Sequence, residues 1–160
     1  MASFLSSIFG SKAQTKSAIY PPENFSVLQA TLANGKPAIG SFDMGYKKFD
    51  KKSQYLWYLE INVGLDLKHV DKNGLPNKDE SDIANRFEDY LIAEIRKVAV
   101  LCYVGHLYND TFLDIYAYTN DPEKVNAFLQ KEVNKKGLTR GFAFKMEQDP
   151  NWTKVKQFIH

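Results

Sequence analysis

Residues 55–67 read Tyr-Leu-Trp-Tyr-Leu-Glu-Ile-Asn-Val-Gly-Leu-Asp-Leu. Tyr55, Trp57, Leu59, Ile61, Val63, Leu65 and Leu67 alternate without a break, which is the period of a long β-strand with one buried face. The opposite face of that strand carries Tyr58, Glu60, Asn62 and Asp66. Everything downstream can be placed around it.

After a polar loop, Ile83, Phe87, Leu91 and Ile95 recur every four residues. Asp79, Glu80 and Asp82 lie near the start of that stretch and Arg96-Lys97 at its end, so it reads as an amphipathic helix with both ends of its dipole complemented. Residues 98–105 and 111–118 read as two strands joined through Tyr108-Asn109-Asp110, an antiparallel hairpin. Asp121-Pro122 opens a second helix through Val125, Phe128, Leu129 and Val133. It stops at Lys135-Lys136-Gly137, where glycine supplies a left-handed residue. A last strand covers 138–147, and a short C-terminal helix is expected from Asp149-Pro150, burying Trp152 and Val155. Upstream, Phe25–Leu32 and Pro37–Phe42 flank an Asn34-Gly35 step, a strong hairpin signal.

From residue 55 the order is strand, helix, strand, strand, helix, strand. That is the split βαβ order of a ferredoxin-like α+β sandwich, an antiparallel sheet with both helices on one face, here preceded by an added hairpin. Trp57, Leu59, Ile61, Phe87, Leu91, Val100, Ile115 and Phe128 are the expected core.

Four short stretches look familiar together: Asn73-Gly74-Leu75-Pro76, Arg86-Phe87-Glu88-Asp89, Ile115-Tyr116-Ala117-Tyr118 and Asp149-Pro150-Asn151-Trp152. The set resembles the bacterial domain-of-unknown-function family 695 over roughly residues 20–160. That family is similar in layout to the regulator-of-ribonuclease-E-activity B family, whose members act by binding a protein. The resemblance therefore implies binding rather than a defined chemistry, and fold alone does not carry function.

Composition sets the outer bounds. At 160 residues the chain suits one domain, taken as residues 19–160 behind a flexible tail of 1–18. In that tail Phe4, Leu5, Ile8 and Phe9 form too short an apolar run for an export signal, and no stretch approaches a membrane span. The net charge of +2 points to neither nucleic acid nor a membrane surface. The single cysteine, Cys102, fits a reducing cytoplasm. Aromatic residues, at 14%, are abundant enough to suggest a sheet-rich core or a sticky face.

Candidate chemistry is thin. His69, Asp71, Asn73, Gly74, Asn77 and Glu80 mimic a calcium loop, but His69 stands at the first ligand place and a strand precedes the loop where a helix is needed. Its plain reading is a turn at Asn73-Gly74 and a helix cap at Asn77 or Asp79, with no metal. Arg140-Gly141-Phe142-Ala143-Phe144 resembles an RNA-recognition signature displaced onto the last strand, and reads as an edge strand instead. Cys102 and His106, on one face of a regular strand, would stand about 13 Å apart, too far for a thiol and its base. No phosphate loop, serine elbow or zinc spacing is present, so no cofactor is expected.

What alternation does assemble is a surface: Tyr58, Glu60, Tyr103, Asp114, Tyr116 and Tyr118 are expected on one sheet face, away from the helices. Tyrosine combines apolar area with a polar tip, the chemistry of interfaces. The leading expectation is a non-enzymatic protein-binding or regulatory module using this face, toward a protein partner or a second copy. The rival is a small-ligand domain or hydrolase-like enzyme using Asp66, His69 and the carboxylates at the sheet end.

Overall fold

The computed structural model describes residues 19–160; the expected tail of residues 1–18 lies outside them. One antiparallel sheet carries six strands: β1 (Phe25–Thr31), β2 (Pro37–Asp43), β3 (Trp57–Gly64), β4 (Leu101–Asn109), β5 (Phe112–Thr119) and β6 (Phe142–Gln148). Their order across the sheet is β1-β2-β4-β5-β3-β6. Two helices, α1 (Lys78–Arg96) and α2 (Pro122–Glu132), follow β3 and β5. The chain is thus α+β, with the added hairpin continuing the sheet beyond β4.

The helix starts obey their caps. Asn77 accepts from the Glu80 amide at 2.9 Å, and Asp121 accepts from the Lys124 amide with Pro122 in the first turn. α2 ends at Glu132, earlier than the Lys-Lys-Gly stop suggested, although Gly137 does take a left-handed φ of 78°.

Alternation along β3 sends Leu59, Ile61 and Val63 into a core with Phe87, Leu91 and Ile95 of α1 and Val125 and Leu129 of α2. Leu59, Ile61, Phe87, Leu91 and Ile115 of the expected core are buried; Trp57, Val100 and Phe128 are partly covered. The other sheet face has a second core, where Tyr58, Cys102, Tyr116 and Tyr118 pack against Tyr46, Phe49, Trp152, Val155 and Phe158. The sheet is therefore sandwiched for part of its area.

That cover corrects the expectation of a C-terminal helix. Residues 149–158 form successive turns instead. The Asp149 carboxylate captures Thr153 N, Thr153 Oγ1 and Lys154 N at 3.0, 2.7 and 2.9 Å, and Trp152 adopts a φ of +54°. A left-handed residue within the first turn stops a helix from propagating. Trp152 then lies flat on Tyr118, ring centroids 3.9 Å apart and planes 5° apart.

Candidate binding site

The residues expected to form one exposed face divide three ways. Tyr58, Tyr116 and Tyr118 do share the face opposite the helices, but they are buried beneath the C-terminal turns and the segment of residues 44–55, with Tyr116 only 8% exposed. Tyr118 donates to Asp149 Oδ2 at 2.6 Å and Trp152 Nε1 donates to the Tyr55 carbonyl at 2.9 Å, fastening the cover. These tyrosines are core, not an interaction surface.

Glu60 and Asp114 lie farther along the same face, beyond the cover, in a polar chain. Tyr58 donates to Glu60 at 2.6 Å, the Asn62 carboxamide donates to Glu60 at 3.1 Å and to Asp114 at 2.6 Å, and Asn109 donates to Asp114 at 2.7 Å. Burial opposes the ionisation of Glu60, but the hydrogen bonds from Tyr58, Asn62 and Lys145 outweigh it and hold the group low. Asp114 is pushed up by burial despite its two carboxamide donors. The pair is a satisfied network on the open end of the sheet.

Tyr103 departs from the expectation altogether: it faces α1, donating to Glu88 Oε1 at 2.6 Å. The reason is the phase of β4. Cys102 pairs with Tyr118 and belongs with Val104 to the tyrosine-side core, so the intervening Tyr103 looks toward the helices. A β-bulge between Tyr103 and Gly105 then reverses the alternation. Gly105 sits at φ +155°, where an added Cβ would stand 2.3 Å from the Ser41 carbonyl. His106, which a regular strand would have put on the same face as Cys102, is turned onto the helix side.

There His106 finds a built environment. Its Nδ1 lies 2.8 Å from Glu88 Oε2 and 3.2 Å from the Tyr103 hydroxyl, and Glu88 is itself buried. With Nδ1 committed, Nε2 is the nitrogen left for a ligand's hydrogen bond. His106 lines a cleft of about 470 Å³ between the hairpin, the 71–76 loop and the first turns of α1, walled by Val27, Ile39, Leu75 and Pro76 and edged by Asn85 and Tyr108. Tyr108 donates to Asn85 Oδ1 at 2.6 Å. Around it Phe25, Val27 and Ile39 are 46%, 71% and 40% exposed. Cross-strand pairing of Val27 with Ser41, and of Ser41 with His106, shows that these side chains share the helix-side face where no described helix covers it.

The sequence did carry a signal for this site. Ala84, Glu88, Leu91 and Ile95 occupy one buried stripe of α1, and a carboxylate inside an apolar stripe needs a partner. Glu80, one turn earlier on that stripe, is fully buried and held by Arg140 through two bonds of 2.8 and 2.5 Å.

Other expected groups are occupied elsewhere. His69 and Asp66 stand 4.0 Å apart, both open to solvent. Asp71 accepts from the amides of Asn73 and Leu75, making the turn of the 69–80 loop. Phe142 is in the helix-side core and Phe144 packs against it, so this strand does not offer a row of open rings. A larger cavity of about 690 Å³ lies between α1, α2 and residues 137–140, where Lys135 is engaged by Glu132 at 3.6 Å and by Tyr90 at 3.3 Å. Among the described residues no group of three or more histidine, cysteine or acidic side chains is placed to hold a metal ion.

Comparison with protein-family models gives one match, to a family of unknown function, over residues 26–160. The chain belongs to the DUF695 family. No curated protein and no solved structure matches it. Of the four stretches that suggested the family, most residues in this DUF695 domain do structural work. Gly74 accepts from the Thr111 amide at 2.9 Å, and Tyr118, Asp149 and Trp152 build the second core, while Leu75 and Pro76 wall the cleft and Glu88 holds its histidine.

Proposed function

We propose that this DUF695 domain is a non-enzymatic protein-binding module whose contact surface is the helix-side face of the β1–β2 hairpin and the cleft beside it. The observation that carries the reading is the convergence of exposed Phe25, Val27 and Ile39 on a cleft floored by a fixed histidine. Concave, mostly apolar surface with a few oriented polar groups is the usual form of a binding site, and exposed apolar side chains gathered in one place mark interaction surfaces. The tyrosine face does not serve, because its rings are committed to the second core.

The strand order β4-β5-β3-β6, with helices after β3 and β5, supports reading residues 57–148 as a ferredoxin-like body to which the hairpin is added as a binding arm. The buried thiol of Cys102 agrees with a cytoplasmic setting. No described helix is long and apolar enough to cross a membrane.

The test is affinity capture with the intact chain and with a Val27→Asp/Ile39→Asp variant. Both sites are exposed, so the variant should keep its fold by circular dichroism. Proteins retained by the parent and lost by the variant are the expected result. A set of captured proteins indifferent to the variant would show that the hairpin face is not the contact surface.

A further inference from the structure

β1 is one edge of the sheet, and its sequence, Phe25-Ser-Val-Leu-Gln-Ala-Thr31, contains no charge, proline or glycine. Proteins usually protect an open edge with such residues, because unpaired backbone groups recruit another strand. The opposite edge of this sheet is protected in that way: β6 carries Lys145 and Glu147, and Glu147 pairs with Lys154 at 2.9 Å. Among the described residues only the hairpin edge is left unguarded.

The direction of its free groups can be worked out. Met44 N bonds to Asn24 O and Leu32 N to Lys36 O, both at 2.8 Å, at the two ends of an unbroken register. Even-numbered residues of β1 therefore point their amides and carbonyls at β2, and Phe25, Val27, Gln29 and Thr31 point theirs outward. The same odd residues carry the exposed Phe25 and Val27 side chains.

We infer that the partner of this edge is a second copy of the chain, joined by antiparallel pairing of β1 with β1 across a two-fold axis near Val27. The inference rests on the hairpin being the binding surface and names its occupant. Self-pairing satisfies three conditions at once. A two-fold at Val27 matches outward-pointing residues with outward-pointing residues, Val27 to Val27 and Phe25 to Gln29 of the second copy, as antiparallel hydrogen-bonded pairs require. A strand without charge sets no like charges against each other. The apolar side chains of both copies meet on one face. A contact of one strand and a few side chains is small, below about 1,200 Å² in total, so a moderate Kd of about 1–100 µM is expected.

Sedimentation velocity of the full chain over a concentration series, with amide hydrogen exchange read at each end of the series, tests this. The expected result is a monomer–dimer equilibrium in which the amides of Phe25, Val27 and Gln29 gain protection as dimer forms. Two variants should abolish it while keeping the monomer's circular dichroism. Val27→Lys adds a charge at the axis, and Gln29→Pro removes an outward amide without touching the β1–β2 ladder. A chain that stays monomeric at several hundred micromolar overturns the inference, as does a dimer that survives both variants. If the chain is monomeric yet a captured protein still depends on Val27 and Ile39, self-pairing fails while the hairpin remains the binding surface.

Discussion

Glu80 and Cys102 show how far single groups are committed to the fold. Glu80 lies at zero exposure against the Arg140 guanidinium, whose hydrogen bonds hold its carboxyl below the usual range. A carboxylate whose folded value is depressed contributes stability that is complete above its unfolded value, about 4.3, and is lost as pH falls through the folded one. Glu80→Gln, which leaves Arg140 without its anion, should cost about 3 kcal/mol near neutral pH. In urea titrations the gap between parent and variant should shrink below about pH 4; a gap that stays constant with pH would show that packing, not charge, dominates. Burial pushes the Cys102 thiol up to about 12. Native protein should therefore resist alkylation at pH 8.5 and react only when unfolded, and rapid native labelling would contradict the placement of Cys102 in the second core. The sequence already placed Cys102 out of reach of a base; it did not show Glu88 and His106 as a pair, because their contact depends on a bulge that alternation cannot foresee.

At the scale of elements, legibility followed periodicity. β3 was readable because its alternation is unbroken, and α1 because its apolar residues recur every four. β4 was assigned the opposite phase: Val100 and Cys102 look like core residues, and they are covered, but Cys102 belongs to the second core. Two buried faces leave a strand apolar throughout, so hydrophobicity stops reporting which face is which. The cover over the tyrosines was misread for a different reason: Trp152, Val155 and Phe158 recur every three residues, as on a helix, but the Asp149 turns set them on the sheet instead. Replacing a fully buried aromatic by Ala costs about 3–5 kcal/mol, so Tyr116→Ala/Tyr118→Ala removes about as much as a domain's whole stability of 5–15 kcal/mol. The expected outcome is an unfolded or molten chain by near-ultraviolet circular dichroism and urea titration. A folded double variant with a cooperative transition would mean that these tyrosines are less essential to the core than their burial implies.

Across the described residues the sheet is covered on both faces through its centre, while in the hairpin that extends it only the face opposite the helices, with Ala38 and Phe42, is built into a core. Among the described residues, the strands beyond the helices have their helix-side face open, their outer edge unguarded and their exposed apolar side chains beside the His106 cleft. An addition that contributed only to stability would be expected to bury its apolar residues, whereas Val27 is 71% exposed. This arm, rather than the tyrosine face or the β6 edge, is proposed to make the contact with partners. Photo-crosslinking tests it most directly: a photoreactive phenylalanine placed at Ile39 in the full-length chain, and separately at Lys145 on the opposite edge, irradiated in cell extract and at high protein concentration. The prediction is a discrete crosslinked product, to a second copy or to another protein, from position 39 and none from position 145. Crosslinking from position 145 alone would place the contact on the other side of the sheet and contradict the claim.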